Sequence, residues 1–418
     1  MTTVRTAPEA APLDATTSLS THVNDYWLRV KGGELGSLPA VLALVVLATI
    51  FTIVRPVFLS AGNMANLLPQ AAAVTLIAMG LIFVLLIGEI DLSAGFTSGV
   101  CAAVMTMLLA EFDVPWYAGL LGGILTGTVI GLLLGTTVSK IGIPSFVVTL
   151  AAFLGFQGVL LILIREGQII RISDPVILAI SNKNMSVWVG WALYVVAIGL
   201  YALVQFGRMQ GRKRRGLTHD PLSLVLLRIG SLAIGAGFAV YALSVERSRN
   251  VLVTSTKGVP IVVPIIVVLL VVLTFVLKRT GYGLHIYAVG GNREAALRAG
   301  INVDRIRISA FMVCSTMAAV GGIVAASRDQ SVNPNTGGSN VLLYAVGAAV
   351  IGGTSLFGGK GRIIDAVLGG LVVAVIVNGM TLLDLKSGVK YILTGSVLLV
   401  AAGVDALSRR RAASTGLR

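Results

Sequence analysis

Charged residues make up only 12% of this chain, about half the share usual in a soluble domain, which excludes an ordinary water-soluble globule. Cysteine is nearly absent. Cys101 and Cys314 both fall inside apolar runs, so two buried thiols are expected rather than a disulfide. Histidine is as scarce, and His22, His219 and His285 stand far apart and in no metal-ligand spacing. The apolar runs lack the polar–apolar alternation of barrel strands, which excludes a β-barrel. No Walker-type phosphate loop occurs. GGTSLFGGKGR at 352–362 imitates one, but Thr354 stands where the first glycine is required and Gly361 follows Lys360 where Ser or Thr is needed. The chain is not expected to bind ATP itself, and no cofactor or metal is expected in it.

What the chain has is apolar length. Hydrophobic residues reach 56%, and runs of roughly twenty recur, enough for many membrane crossings. The expected fold is all-α: a polytopic transmembrane helical bundle of about 10–12 membrane helices, some short or broken. Candidate spans lie near 38–54, 65–88, 92–110, 115–138, 143–164, 187–206, 222–244, 259–277, 309–326, 339–357, 363–383 and 389–405. The span at 339–357 crosses only if Gly352, Gly353, Thr354 and Ser355 count as part of it. Residues 1–37, rich in Thr, Ala and Pro, read as a disordered tail with an interfacial helix at 22–30, and 409–418 as a short basic tail.

The net charge of +14 invites a nucleic-acid reading, but its distribution argues for a bilayer and against nucleic acid. With the N-terminus inside, alternate loops hold Lys140, then Arg208, Arg212, Lys213, Arg214 and Arg215, then Lys278 and Arg279, then Lys360 and Arg362, and the chain closes on Arg409, Arg410 and Arg411. That bias places both termini in the cytoplasm. Arg228, just inside its span, is close enough to the same face to snorkel out.

A polar island, 278–308, interrupts the apolar runs. Within it GGNREAALRAGI reads as a very short helix with both ends marked. Asn292 is a good N-cap, Glu294 sits in the first turn, Gly300 suits a left-handed C-terminal cap, and Glu294 and Arg298 are four apart on one face. Two turns cannot stand alone in water. The small Ala295, Ala296 and Ala299 allow a helix to sit deep in a partner's groove, so docking is preferred over an ordinary loop.

GEIDLSAG at 88–95 joins two apolar runs with almost no loop, Asp91 being placed to cap a helix from Leu92. Two readings stand: a broken helix whose Glu89 and Asp91 help form a translocation path, or a capped hairpin at the membrane surface. GGTSLFGG at 352–359 echoes its G-x-x-x-L-x-x-G, by duplication or by chance. The polar residues Gln70, Ser145, Thr149, Gln157 and Asn378 within spans suit a neutral, hydroxyl-rich solute, or else bond helix to helix. No acidic series marks a proton relay.

From about residue 55 to 405 the chain resembles the permease subunits of bacterial ATP-binding-cassette sugar importers, the ribose, galactose, arabinose and xylose group. The resemblance rests on NLLPQAAAVTLIAMGLIFVLLIGEIDLSAG, IPSFVVTLAAFLGFQGVLL, IYAVGGNREAALRAGINVDRIRISAF and VIGGTSLFGGKG. EIDLSAG, an extra apolar and basic segment over 187–250, and NGMTLLDLKSGVKYILTGSVLLVAAGVDA point to the xylose type within that group. The resemblance implies a permease domain over 38–408, in the bacterial inner membrane, working as a homodimer. It also implies a separate cytoplasmic ATPase and an extracytoplasmic sugar-binding protein, with most of the substrate selection in the latter. Gly291, Asn292, Arg293, Glu294, Ala295, Ala296 and Gly300 match the family's coupling segment, and Arg298 is counted with them. Glu89, Asp91, Ser145, Gln157 and Asn378 remain the candidates for the path.

Overall fold

A computed structural model describes residues 36–217, 219–248, 255–386, 388–396, 399 and 403. The expected interfacial helix at 22–30, most of the N-terminal tail, the basic tail at 409–418 and part of the last span lie outside the described residues. The described residues fall into two compact units, one within 35–184 and 260–410 and the other within 185–259.

The larger unit holds α1 (Leu38–Val54), α2 (Ala61–Leu86), α3 (Ala94–Glu111), α4 (Trp116–Thr136), α5 (Ser145–Ile164) and α6 (Pro175–Asn182). The smaller holds α7 (Val187–Arg214) and α8 (Leu222–Ser244). The larger resumes with α9 (Val262–Arg279), α10 (Gly281–Gly291), α11 (Arg293–Arg298), α12 (Val303–Asp329), α13 (Ser339–Gly352) and α14 (Ile363–Leu382). Residues 388–396 are helical again. The only sheet among the described residues is a two-residue pairing of β1 (Ile170–Arg171) with β2 (Ser331–Val332).

Nine described helices, α2–α5, α7–α9, α12 and α14, are long and apolar enough to cross a membrane. The chain is a polytopic helical membrane protein. Two expected spans come out short. α1, at 17 residues, reaches about 26 Å and α13, at 14, about 21 Å, against a hydrocarbon core of about 30 Å. α13 stops because Gly353 adopts φ +115° and closes the last turn, its N–H on Val350 O and that of Thr354 on Ala349 O. The glycine-rich segment after it is therefore loop, not span.

Two helices run longer than their apolar composition indicates. α7 continues through the basic run to Arg214, so these charges ride on a helix rather than a loop. α12 begins at Val303, inside the polar island, with Asn302 accepting the Arg305 N–H at 3.0 Å and Asp304 in its first turn.

α12 is the axle of the larger unit, packed against α2, α3 and α4. The approach to α4 is close because α4 carries glycine at 119, 123, 127, 131 and 135, every fourth position and hence nearly one face. A Cβ at Gly127 would lie 2.6 Å from Ser315 O, and one at Gly131 2.5 Å from Phe311 O. Cys101 and Cys314 are buried in this core as free thiols.

In the smaller unit, the Tyr194 hydroxyl donates to Ala233 O at 2.9 Å, joining α7 to α8. Arg228 pairs with Asp220 at 2.7 Å, eight residues earlier. Glu246 accepts the Ser255 hydroxyl at 2.5 Å and the Thr256 and Ser248 N–H groups at 2.9 and 3.1 Å.

Candidate functional site

The island is not one short helix but a run of three. α10 leads in, α11 is the two-turn piece, and α12 leads out. At α11 the expected caps are present. Asn292 Oδ1 accepts the Ala295 N–H at 2.9 Å. Gly300, at φ +80°, closes the other end, with its N–H on Leu297 O and the Ile301 N–H on Ala296 O, both at 3.0 Å. Ala296 is the one residue of 291–300 that is buried; Gly291, Asn292, Arg293, Glu294, Ala295, Arg298 and Gly300 are all exposed. Glu294 and Arg298 form no ion pair with each other. A capped helix held to its own protein by a single alanine has nearly its whole surface free for another.

Three motifs separated in sequence meet behind α11. The Leu86 carbonyl, at the end of α2, accepts the Gly359 N–H at 2.9 Å. Gly290, at the end of α10, packs against the same carbonyl so closely that a Cβ there would stand 1.7 Å from it. Only glycine fits at this crossing. The Tyr287 hydroxyl donates to Gly361 O at 2.8 Å, and burial, reinforced by the nearby Asp365 carboxylate, pushes the phenol above its ordinary pKa, so it stays a donor. The glycine-rich loop spends its own N–H groups inward, on Leu86 O, on Lys360 O and on Ser355 Oγ. They are not arrayed outward to cradle a phosphate. This loop also presents Phe357, 79% exposed, a side chain that sequence reading missed.

GEIDLSAG begins with the same device. Gly88, at φ +77°, ends α2 with its N–H on Leu85 O, and the Glu89 N–H returns to Val84 O. Gly353 ends α13 with the same turn, one residue past Gly352, which the echo aligns with Gly88, and Gly300 closes α11 in the same way. Asp91 is fully buried, with Oδ1 accepting the Ser93 N–H at 2.9 Å and the Ser93 hydroxyl at 2.6 Å. It stabilises a turn ahead of α3, which starts at Ala94 rather than Leu92. Ser145 and Thr149 hold the break from α5. The Ile90 N–H donates to Ser145 Oγ at 3.2 Å, and the Thr149 hydroxyl to Ile90 O at 3.3 Å. Glu89 turns to α12, its carboxylate 2.5 Å from the Arg307 guanidinium. Four of the path and span candidates, Glu89, Asp91, Ser145 and Thr149, are therefore gathered at one place.

Asn378 belongs to a second cluster. It exchanges amide hydrogen bonds with Asn63, both 2.9 Å, and donates to Gln70 Oε1 at 3.2 Å. Asn63 completes this neutral set between α2 and α14 and was not singled out from sequence. Gln157, half-buried on α5, joins neither cluster. A cavity of about 470 Å³ between α4, α6, α9 and α12 is lined wholly by apolar residues such as Leu120, Ile180, Val268 and Ile323, and offers a polar solute no hydrogen bond.

The sequence is similar to those of known membrane permeases. The family described as branched-chain amino acid transport system / permease component matches residues 63–402. The xylose transport system permease protein of Escherichia coli (strain K12) is 34% identical over 358 residues, 85% of this chain and 87% of its own. Its counterpart in Haemophilus influenzae (strain ATCC 51907 / DSM 11121 / KW20 / Rd) is 30% identical over 373 residues, 88% and 96% of the two chains. The ribose import permease protein of the same Haemophilus strain is 28% identical over 364 residues, 87% and 91%. No solved structure matches the chain.

Proposed function

Because this chain belongs to the branched-chain amino acid transport system / permease component family, we propose that it forms the membrane pathway of an ATP-driven importer that carries a monosaccharide, xylose first among them. As a multi-pass permease component it moves a solute and is not an enzyme. ATP hydrolysis belongs to a separate ATPase on the cytoplasmic side, and delivery to a sugar-binding protein on the other, with two copies of the permease around the path. Both termini and the island 278–308 lie in the cytoplasm on this reading, in keeping with the positive-inside charge pattern. The domain limits follow it: a permease domain over 38–408, an added segment over 187–250, and short tails.

The observation that carries the coupling role is α11, a doubly capped helix buried only at Ala296 and continuous through Gly300 with the axle helix α12. An ATPase gripping α11 would move α12, and with it the core. Leu297 on α11 and Phe357 on the glycine-rich loop packed at Gly290 are exposed apolar residues that suit the apolar centre of such a docking surface. The neutral amides of Asn63, Gln70 and Asn378 suit sugar hydroxyls, which need exchange of hydrogen bonds and no counter-charge.

The test is uptake into proteoliposomes holding the permease, its ATPase and the binding protein, with labelled xylose, ribose, allose and leucine offered in turn. Uptake of xylose that requires ATP and both partners supports the reading. Uptake without the ATPase would indicate a secondary transporter, and uptake of leucine alone an amino-acid permease.

A further inference from the structure

Resting on the permease reading above, we propose that the Glu89–Arg307 ion pair is the positioning contact through which movement of the coupling segment reaches the break between α2 and α3. Arg307 lies in the second turn of α12, and α12 is joined to α11 by the closed turn of Gly300 and the Asn302 cap. Displacement of α11 therefore moves Arg307 with little slack. Glu89 follows the Gly88 turn, its N–H on Val84 O making the last bond back into α2. The pair is shielded, the side chains being 8% and 17% exposed, so salt screens it weakly.

The break is the compliant partner. Ile90 is held to α5 by side chains, its N–H on Ser145 Oγ at 3.2 Å and its carbonyl 3.3 Å from the Thr149 hydroxyl, which makes its shorter bond, 2.8 Å, to Ser145 O. Further along α12, Cys314 stands seven residues and two helical turns beyond Arg307 and near the Asp91 carboxyl, whose Oδ2 has no hydrogen-bond partner among the described residues. Glu89 and Asp91 thus engage one face of α12 at two heights. The junction of Leu86 with Gly290 and Gly359 is backbone against backbone and forms the fixed side of this lever. Buried Arg307 Nε has no hydrogen-bond partner among the described residues, which leaves the guanidinium a donor for a second arrangement of the pair.

The experiment uses the full chain with its ATPase and binding protein in proteoliposomes, reading sugar moved and ATP hydrolysed per assembled complex, with melting temperature alongside. Glu89→Gln and Arg307→Gln should each assemble and hydrolyse ATP near the parent rate while sugar moved per ATP falls at least tenfold. Exchange of the charges, Glu89→Arg with Arg307→Glu, should recover a third or more of the parent ratio. Glu89→Asp, which keeps the charge on a shorter arm, should fall between parent and Glu89→Gln, and serves if the neutral variants fail to assemble. A parent ratio in Glu89→Asp and in every assembled single variant, even with lowered melting temperature, would reduce the pair to a fold contact and overturn the inference. A parent protein without ATP-driven uptake would instead overturn the permease reading itself.

Discussion

The carboxylate of Glu89 and the guanidinium of Arg307 meet at 2.5 Å, one in the break after α2 and the other in the second turn of α12. Both belong to polar motifs that interrupt long apolar stretches. Their meeting ties the polar island to the break between α2 and α3.

Breaking this pair from one side should be costly. Arg307→Met leaves Glu89 shielded without its counter-charge, and loses about 2–3 kcal/mol of stability, below the 3–5 kcal/mol of a fully buried pair because Glu89 keeps some exposure. Adding Glu89→Leu to Arg307→Met should restore most of that loss, since an apolar pair needs no solvation. Thermal unfolding in detergent, run on the singles and the double, decides the matter.

Gly290 should tolerate nothing larger. A Cβ there would sit 1.7 Å from Leu86 O, forcing apart the junction that also binds Gly359, and Gly290→Ala should cost at least the 1–3 kcal/mol typical of overpacking, about 2 kcal/mol or more. Gly155→Ala and Gly158→Ala, where nothing lies within 4 Å, are the controls and should melt like the parent.

The caps of α11 give a graded series. Asn292→Ala removes the acceptor for the Ala295 N–H and should cost about 1 kcal/mol, concentrated in that helix, while Asn292→Ser should cost little. Amide exchange at Ala295 and Ala296 should quicken in the alanine variant alone, and affinity for the ATPase should fall with it.

Which of these features could be read from the chain follows from their range. Asn292 and Gly300 were legible as caps because capping is local. Spans such as 222–244 were legible because apolar runs end at clear breakers. α10 escaped notice, since its four glycines at 281, 283, 290 and 291 argue against helix and only its tertiary junction favours one. The start of α12 was hidden for the opposite reason: its first turns are charged, while helix continues regardless of polarity. The glycine at every fourth position of α4 was in plain view as a close-packing face, yet which helix it meets is a long-range fact. So is the partner of Glu89, and with it the gathering of Ser145 and Thr149 around Ile90.

Acid should loosen the turn after α8 only late. The Ser255 hydroxyl and the Thr256 and Ser248 N–H groups pull Glu246 down to about 2 from an ordinary 4.5. A depressed carboxyl stabilises fully above its unfolded value, and that contribution fades as pH falls from about 4.5 through about 2. Amide exchange at Thr256, corrected for intrinsic pH dependence, should therefore stay slow at pH 5 and rise below pH 4, whereas Glu246→Gln should show fast exchange even at neutral pH.

On the proposed reading, α11 is where a separate ATPase takes hold of this permease. This grip is tested most directly by Glu294→Lys, which reverses the charge of an exposed residue in the first turn and disturbs the fold by no more than about 1 kcal/mol. Sugar uptake and ATP hydrolysis are measured together in proteoliposomes with ATPase and binding protein. Membrane insertion should be normal with uptake per ATP reduced at least tenfold; parent-level uptake and ATPase binding in this variant would show that the ATPase does not grip α11.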